Sequence, residues 1–238
     1  MEKTVLLDVT EGVALITLNR PDRHNSICQD LLVHLYDYLD EVAQSPEIRV
    51  AVITGNGKSF CSGIDLSVIG KDNLLDPRGD GKDMPDVFSA CNKPILGAIN
   101  GNAITGGFEL ALNCDFLIAS ENARFIDSHA KVGIHPGWGM TQLLQQSVGQ
   151  RMAKQMSFTC RPLSAADAFA CGLVNEVVPH PELVPRALEI ARDICSVNQE
   201  ILIKIKGLIE KRNEVSVKQA LQYEREGFQE FVRTARLF

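Results

Sequence analysis

The 238-residue sequence contains no apolar run approaching the roughly 18–20 residues that a membrane helix requires. Its opening, Met1-Glu2-Lys3-Thr4, has neither the basic start nor the apolar block of a signal peptide. Its last residues, Arg236-Leu237-Phe238, form neither a prenylation box nor a peroxisomal tripeptide. The expected address is therefore cytoplasmic. Positive charge is not in excess: 24 Lys+Arg stand against 30 Asp+Glu, a net charge of −6. A nucleic-acid partner needs a basic footprint, so none is expected. Cysteines are odd in number and widely spaced (Cys28, Cys61, Cys91, Cys114, Cys160, Cys171, Cys195), with no Cys-x-x-Cys pair. Disulfide frameworks and zinc sites are disfavoured, and buried apolar thiols are expected instead. The five histidines form no His-Glu-x-x-His, so no metal is expected. Dinucleotide and P-loop spacings are absent, as is the G-x-S-x-G elbow of serine hydrolases.

What is present is globular. Hydrophobic residues make up 45% and charged residues 23% of the chain. Val13–Leu18 and Val50–Thr54 read as strands, the second apolar enough to be covered on both faces. Ser26-Ile27-Cys28-Gln29 has the form of a capping box before a helical stripe of Leu31, Leu35, Leu39 and Val42. Residues 70–86 read as a surface excursion, followed by a short helix ending near Cys91. Pro94–Asn100 reads as a strand, 101–107 as a turn, Phe108–Asn113 as a helix and Asp115–Ser120 as a strand; another helix is expected over Met140–Val148. Ser164-Ala165-Ala166-Asp167 is a second capping box, and Val174–Val178 a last strand. Strand–helix alternation of this kind predicts an α/β fold with a largely parallel sheet. After Pro179-His180-Pro181 every segment reads as helical. The expected division is an α/β core over residues 1–180 and a helical region over 181–238.

Two segments share one design, a buried strand followed by a glycine turn and a helix start: Phe60–Leu66 after Val50–Thr54, and Gly101–Glu109 after Ile95–Asn100. Free N–H groups at a helix start hold anions, and two such turns face to face can hold one carbonyl oxygen between two donors. Glu109 is an acid in an otherwise apolar helix start, Phe108 to Leu112. It serves either as a dipole-complementing cap or as a base. In Phe125-Ile126-Asp127-Ser128-His129, an extended backbone puts Asp127 and His129 on one side. A carboxylate there can set the imidazole tautomer; a polar edge segment is the plainer reading.

Taken together, these pieces resemble the crotonase (enoyl-CoA hydratase/isomerase) superfamily along nearly the whole chain. The resemblance rests on Asn19-Arg20-Pro21, Phe60-Cys61-Ser62-Gly63-Ile64-Asp65-Leu66, and Lys93-Pro94 running to Asn100-Gly101. It continues through Gly106-Gly107-Phe108-Glu109-Leu110-Ala111, Cys114-Asp115, Gly133-Ile134-His135-Pro136-Gly137 and Leu163-Ser164-Ala165 to Gly172-Leu173-Val174. It implies a spiral of ββα units with a C-terminal helical trimerisation region, and trimers that often pair into hexamers, so that a homotrimer or hexamer is expected. It further implies an acyl-CoA thioester as substrate, with its carbonyl oxygen between the N–H groups of Ile64 and Gly106. Glu109 matches the first catalytic glutamate of the hydratases. The backbone around Ser62, Gly63, Asp65 and Leu66 is implied to hold the CoA adenine, Arg23 to meet its phosphates and Gly137 to line the pocket. No separate cofactor is implied.

This chain departs from the pattern in two places. Hydratases place a second glutamate where it has His129, although some hydratase-type members carry this Asp-x-His arrangement. Family members also run further at the C-terminus, with basic residues that cover the CoA. The activity expected is addition of water across the 2,3 double bond of an enoyl-CoA. The alternatives are a double-bond isomerase and a non-catalytic acyl-CoA-binding homologue.

Overall fold

The computed structural model describes residues 3–234; the extreme termini, with Arg236-Leu237-Phe238, lie outside the described residues. β1 (Val5–Thr10) and β2 (Val13–Leu18) form an antiparallel hairpin, followed by α1 (Gln29–Gln44). Three ββα passages come next. They are β3 (Val50–Gly55), β4 (Ser59–Cys61) and α2 (Met84–Ala90); β5 (Ile95–Ile99), β6 (Asn102–Ile104) and α3 (Gly106–Leu112); and β7 (Phe116–Ser120), β8 (Arg124–Ile126), α4 (His129–Val132) and α5 (Met140–Thr159). β9 (Leu163–Ser164), α6 (Ala165–Ala170), β10 (Glu176–Val178) and α7 (Leu183–Ser196) complete the first compact unit. Each passage adds one strand to each of two sheets. The larger has the order β1-β2-β3-β5-β7-β10 and the smaller β4-β6-β8-β9, so the chain advances in both at once. This is the ββα spiral that the family resemblance implied, with the largely parallel sheet read from the strand–helix alternation. From β2 to β10 the larger sheet is parallel.

The apolar strands are covered on both faces, as their composition requires. Val50 and Val52 of β3, Leu96 and Ala98 of β5 and Ile118 of β7 pack with Leu183, Ala187 and Ala191 of α7. Their alternating neighbours, Ala51, Ile53, Ile95, Ile99 and Ala119, enter the main core with the α1 stripe. The period-2 side-chain alternation of a strand thus divides one apolar run between two cores.

Several expectations are corrected. The boundary expected at 180/181 falls at 196/197, because α7 is the outer cover of the sheet. The turn expected over 101–107 contains β6, whose three residues are too few to show alternation and are held by pairing with β4 and β8. Ser26 does not cap α1, which starts at Gln29; the N–H of Gln29 is instead satisfied at 2.9 Å by Asp72, from the 70–86 excursion. A tertiary contact has replaced the local cap. α5 runs on to Thr159, beyond the expected Val148, with a break at Gly149 (φ 78°, ψ 156°).

The second compact unit, residues 197–238, contains α8 (Gln199–Lys211) and α9 (Val217–Thr234). Ser216 and Gln219 cap α9 reciprocally. Val217, Leu221, Phe228 and Phe231 of α9 are exposed. Among the described residues no helix is long and apolar enough to cross a membrane.

Candidate active site

Two glycines bring the two glycine turns into contact. A Cβ on Gly107 would lie 2.2 Å from the Cys61 carbonyl oxygen, so only glycine lets the start of α3 close on β4. Gly63 has φ +87°, and a Cβ there would lie 2.8 Å from the Ile104 oxygen and 3.4 Å from the Gly106 nitrogen. Ile64 is held by an isolated parallel bridge in which Ile27 donates to the Gly63 carbonyl (2.8 Å) and Asp65 donates to the Ile27 carbonyl (2.9 Å). In that pattern the N–H of Ile64 points the other way, away from Ile27. Gly106 is the first residue of α3, where an N–H has no partner in a preceding turn. Among the described residues neither N–H has a backbone acceptor. The two turns that the sequence singles out therefore touch, with the Ile64 and Gly106 backbones at their contact.

One helical turn on, Glu109 is 2% exposed. Its Oε1 accepts the backbone N–H groups of Trp138 (2.9 Å) and Met140 (3.2 Å). Its Oε2 faces Nε2 of His129 at 3.5 Å. On the far side of the ring, Nδ1 of His129 lies 2.7 Å from Oδ1 of Asp127, which also accepts the His129 backbone N–H. The pair meets in a turn: β8 ends at Ile126 and His129 opens α4, so the extended backbone expected for 127–129 is not what aligns them. Burial opposes charge on the imidazole, but the Asp127 and Glu109 carboxylates outweigh it and raise the pKa from its ordinary value to about 9. Burial likewise opposes charge on Asp127, yet hydrogen bonds from His129 and Ser157 hold its carboxyl below the usual range. The ring thus lies between the carboxyl groups of Asp127 and Glu109, a placement that favours its protonated form.

These groups close one end of a 540 Å³ cavity. Ser62, Ile64, Leu66, Glu109, His129 and Gly137 line it, together with Ile104, Thr105, Ser128 and Trp138. Gly106 is buried between lining residues; a Cβ there would meet the Trp138 ring at 3.2 Å and Ile64 at 3.6 Å. Gly63 and Asp65 do not line the cavity. Hydrogen bonds from Ser67, together with the Arg20 guanidinium at 3.1 Å, hold the Asp65 carboxyl down at about 2. Arg23 is exposed, in a 3₁₀ turn over Pro21–Arg23, and is not a lining residue. Among the described residues no group of three or more His, Cys, Asp or Glu side chains is placed to hold a metal.

Sequence reasoning missed three contributors. The Trp138 and Met140 N–H groups that hold Glu109 are backbone donors, which no residue type announces. The indole against Gly106 belongs to Gly137-Trp138-Gly139, a segment whose only legible signal was its glycines. The third, a hydroxyl contact between Thr105 and Ser128, joins residues 23 apart in the chain.

Comparison with known proteins bears on the same features. The profile of the family Enoyl-CoA hydratase/isomerase matches residues 8–237. A probable enoyl-CoA hydratase 1, peroxisomal, of Arabidopsis thaliana is 41% identical over 90% of this chain and 81% of its own length. A short-chain-enoyl-CoA hydratase of Clostridium acetobutylicum is 38% identical over 97% of this chain and 90% of its own. The crystal structure of an enoyl-CoA hydratase from Bacillus anthracis superimposes with a TM-score of 0.89 at 33% identity, covering 97% of this chain and 91% of that one. With the ββα spiral, the two touching glycine turns and a match along nearly its whole length, the chain belongs to the enoyl-CoA hydratase/isomerase family of the crotonase superfamily.

Proposed function

We propose that the protein is a lyase of the enoyl-CoA hydratase type, adding water across the 2,3 double bond of an enoyl-CoA thioester. The observation that carries this reading is the contact between Glu109 and His129, beside two N–H groups that have no backbone acceptor among the described residues. The Ile64 and Gly106 N–H groups hold the thioester oxygen, which becomes an enolate when C3 is attacked. Glu109, fixed through Oε1, takes a proton from water with Oε2 as the water oxygen bonds to C3. The π electrons of C2=C3 move toward the thioester, and as the enolate collapses His129 gives its Nε2 proton to C2. The proton on Glu109 then passes across the 3.5 Å gap to His129, restoring both groups. One water is consumed and no net proton is left on the protein.

Ser62, Leu66 and Gly137 contact the CoA side of the ligand, with the Gly63–Asp65 backbone behind them. Arg23 meets the phosphates from the surface. No cofactor beyond the CoA thioester is proposed. The assembly proposed is a homotrimer or hexamer built through the helical region, where α9 leaves an apolar stripe exposed. The proposed address is the cytoplasm, without a nucleic-acid partner.

One observation favours a second reading. Among the described residues, Glu109 is the one carboxylate that lines the reaction end, since Asp127 lies behind the ring. A single base suffices to carry a proton between C2 and C4, as in a double-bond isomerase. A product assay separates the two. Incubation with trans-2-butenoyl-CoA is expected to give 3-hydroxybutanoyl-CoA. Turnover of a 3-enoyl-CoA to a 2-enoyl-CoA, with no hydration of the 2-enoyl compound, overturns the hydratase reading. Tight acyl-CoA binding without any product overturns both.

A further inference from the structure

Thr105 stands immediately before Gly106 with φ 52° and ψ −113°. A β-branched residue in the left-handed region is an outlier, retained only where its surroundings over-determine it. The surroundings here use every polar group it has. Its N–H donates to the Ile126 carbonyl at 2.8 Å, and its carbonyl accepts from Phe108 and Glu109, both at 2.9 Å. Its hydroxyl is in close contact with the hydroxyl of Ser128. Ser128 is the N-cap residue of α4, the position where a serine side chain ordinarily caps its own helix, yet it makes no such cap. Its hydroxyl has been diverted across the cavity wall to Thr105.

We propose that Thr105 and Ser128 form a hydroxyl clamp that positions the Gly106 N–H for the thioester oxygen and ties it to the turn presenting His129. The two residues are positioning residues. The peptide between Thr105 and Gly106 carries the donor, so the strained dihedrals of Thr105 set the direction of that N–H. The same residue's carbonyl fixes the Glu109 backbone, and Ser128 is adjacent to His129 in the chain. The clamp therefore joins three parts of the site: the oxygen-binding donor, the base and the acid. This inference rests on the reading of the Gly106 N–H as a donor to the substrate oxygen.

The test uses the full-length protein and three variants at the clamp. Ser128→Ala removes one hydroxyl. Thr105→Gly removes the other and also relaxes the left-handed backbone. Thr105→Ser keeps the hydroxyl. Two quantities are read: kcat and KM with trans-2-butenoyl-CoA, and the infrared carbonyl stretch of bound butanoyl-CoA carrying ¹³C at C1, a saturated thioester that cannot react. Ser128→Ala and Thr105→Gly are each expected to lower kcat by about 10-fold, less than the ~10²–10³ for losing a donor outright. KM should hold within about two-fold, as for an interaction realised in the transition state. The carbonyl stretch should rise toward its value in water, reporting a weaker hydrogen bond. The double variant is expected to be no worse than Thr105→Gly alone, because the hydroxyl contact is already lost there. Thr105→Ser should restore most of the lost kcat.

A rise in KM with kcat unchanged overturns the clamp and makes the hydroxyls contacts of the pocket wall. Unchanged kinetics with an unchanged stretch also overturn it. Gly106→Pro separates this failure from failure of the underlying reading. If the stretch in Gly106→Pro equals that of the wild type, the Gly106 N–H is not a donor to the thioester. If it moves in Gly106→Pro but not in Ser128→Ala, the donor stands and only the clamp falls.

Discussion

At the inner end of the cavity Glu109 and His129 are 2% and 5% exposed, and each heteroatom of their side chains faces a named partner. At its mouth Leu66, Ile69 and Leu75 are 68%, 50% and 73% exposed. The inner end is complete before any ligand arrives. Its donors and charges are fixed by backbone and by one another, so little reorganisation accompanies reaction. The mouth is unfinished: it presents apolar side chains to water, which a ligand rather than the protein covers. It is held by a few anchors. Asp72 and Asn73 bond Gln29, and Arg78 bonds Asp37, Asp40 and Asp80. The contrast separates two energetic tasks. Changes at the inner end should appear in kcat, and changes at the mouth in KM.

The largest effects belong to the inner end. Glu109→Gln keeps the shape and one oxygen for the Trp138 and Met140 N–H groups but removes the base; hydration should fall by on the order of 10²–10⁴ with KM little changed. Gly106→Pro removes the donor at the first helical position and presses a ring toward Trp138, 3.2 Å from a Cβ there, so kcat should fall by at least about 10²–10³ in the folded variant. Circular dichroism alongside steady-state kinetics checks both. Near-normal turnover in either well-folded variant would break the distinction between the two ends.

His129 comes next. As the proton donor it must be charged, and its pKa is raised to about 9. Activity should therefore hold through neutral pH and fall as pH rises through about 9, well above the ordinary imidazole range near 6.5. The linkage has the same sign. A raised imidazole pKa stabilises the fold fully below the unfolded value, and that contribution disappears as pH climbs through the folded one. Asp127, held below its ordinary value, contributes in the opposite direction and loses its contribution on acidification. Asp127→Asn should move the alkaline limb of kcat to lower pH, because it removes a carboxylate that sustains the imidazolium. His129→Ala should lower kcat, and His129→Glu should recover part of the loss while erasing the limb. A His129→Ala enzyme with unchanged kcat would leave Glu109 acting alone and favour isomerisation.

Much of this contrast could be read from the sequence, and the inner end more than the mouth. Strands β3 and β5 showed themselves as short apolar runs closed by glycine. The acid in the first turn of α3 stood out because its neighbours are Phe108, Leu110 and Ala111. What could not be read was anything made by residues distant in the chain. Ser26 carries the right spacing for a cap, yet Asp72 takes that role at the N–H of Gln29, from which it is 43 positions away. Gln29 reads as part of that box and instead anchors Asn73 and Pro77. The amphipathic stripe of α9 resembles that of α7, yet α7 buries Leu183, Ala187 and Ala191 and α9 buries none of its residues within this chain. Periodicity identifies an apolar face but not what covers it.

The mouth should yield smaller and different effects. Leu75→Ser removes apolar surface that is 73% exposed, so stability should change little. If a ligand covers that surface, KM should rise by about 3–10-fold, the order expected from losing part of a buried aliphatic contact. Titration of butanoyl-CoA against the variant, with kcat measured in parallel, checks it. A fall in kcat without a change in KM would show that the mouth takes part in chemistry and would undo the separation.

Arg23 is expected to give the smallest effect. It is exposed and lies outside the lining residues, so its proposed partner is a phosphate in high-dielectric solvent. Exposed ion pairs contribute roughly 0–1 kcal/mol, so Arg23→Ala should raise KM by no more than about five-fold, with kcat unchanged. The sharper readout is ionic strength. A contact screened by salt weakens as the Debye length shortens, from about 10 Å at 0.1 M to about 3 Å at 1 M. The wild-type KM should rise with salt more steeply than that of Arg23→Ala, and the two should converge at high salt. Arg20 supplies the control on the neighbouring turn. Its guanidinium is already engaged by Asp65 and Ser26, so its replacement should loosen the Ile27–Ile64 region and lower thermal stability rather than alter the salt dependence. Parallel salt curves for wild type and Arg23→Ala would remove Arg23 from the phosphate site and leave the CoA end of the mouth to the apolar residues and the backbone around Ser62.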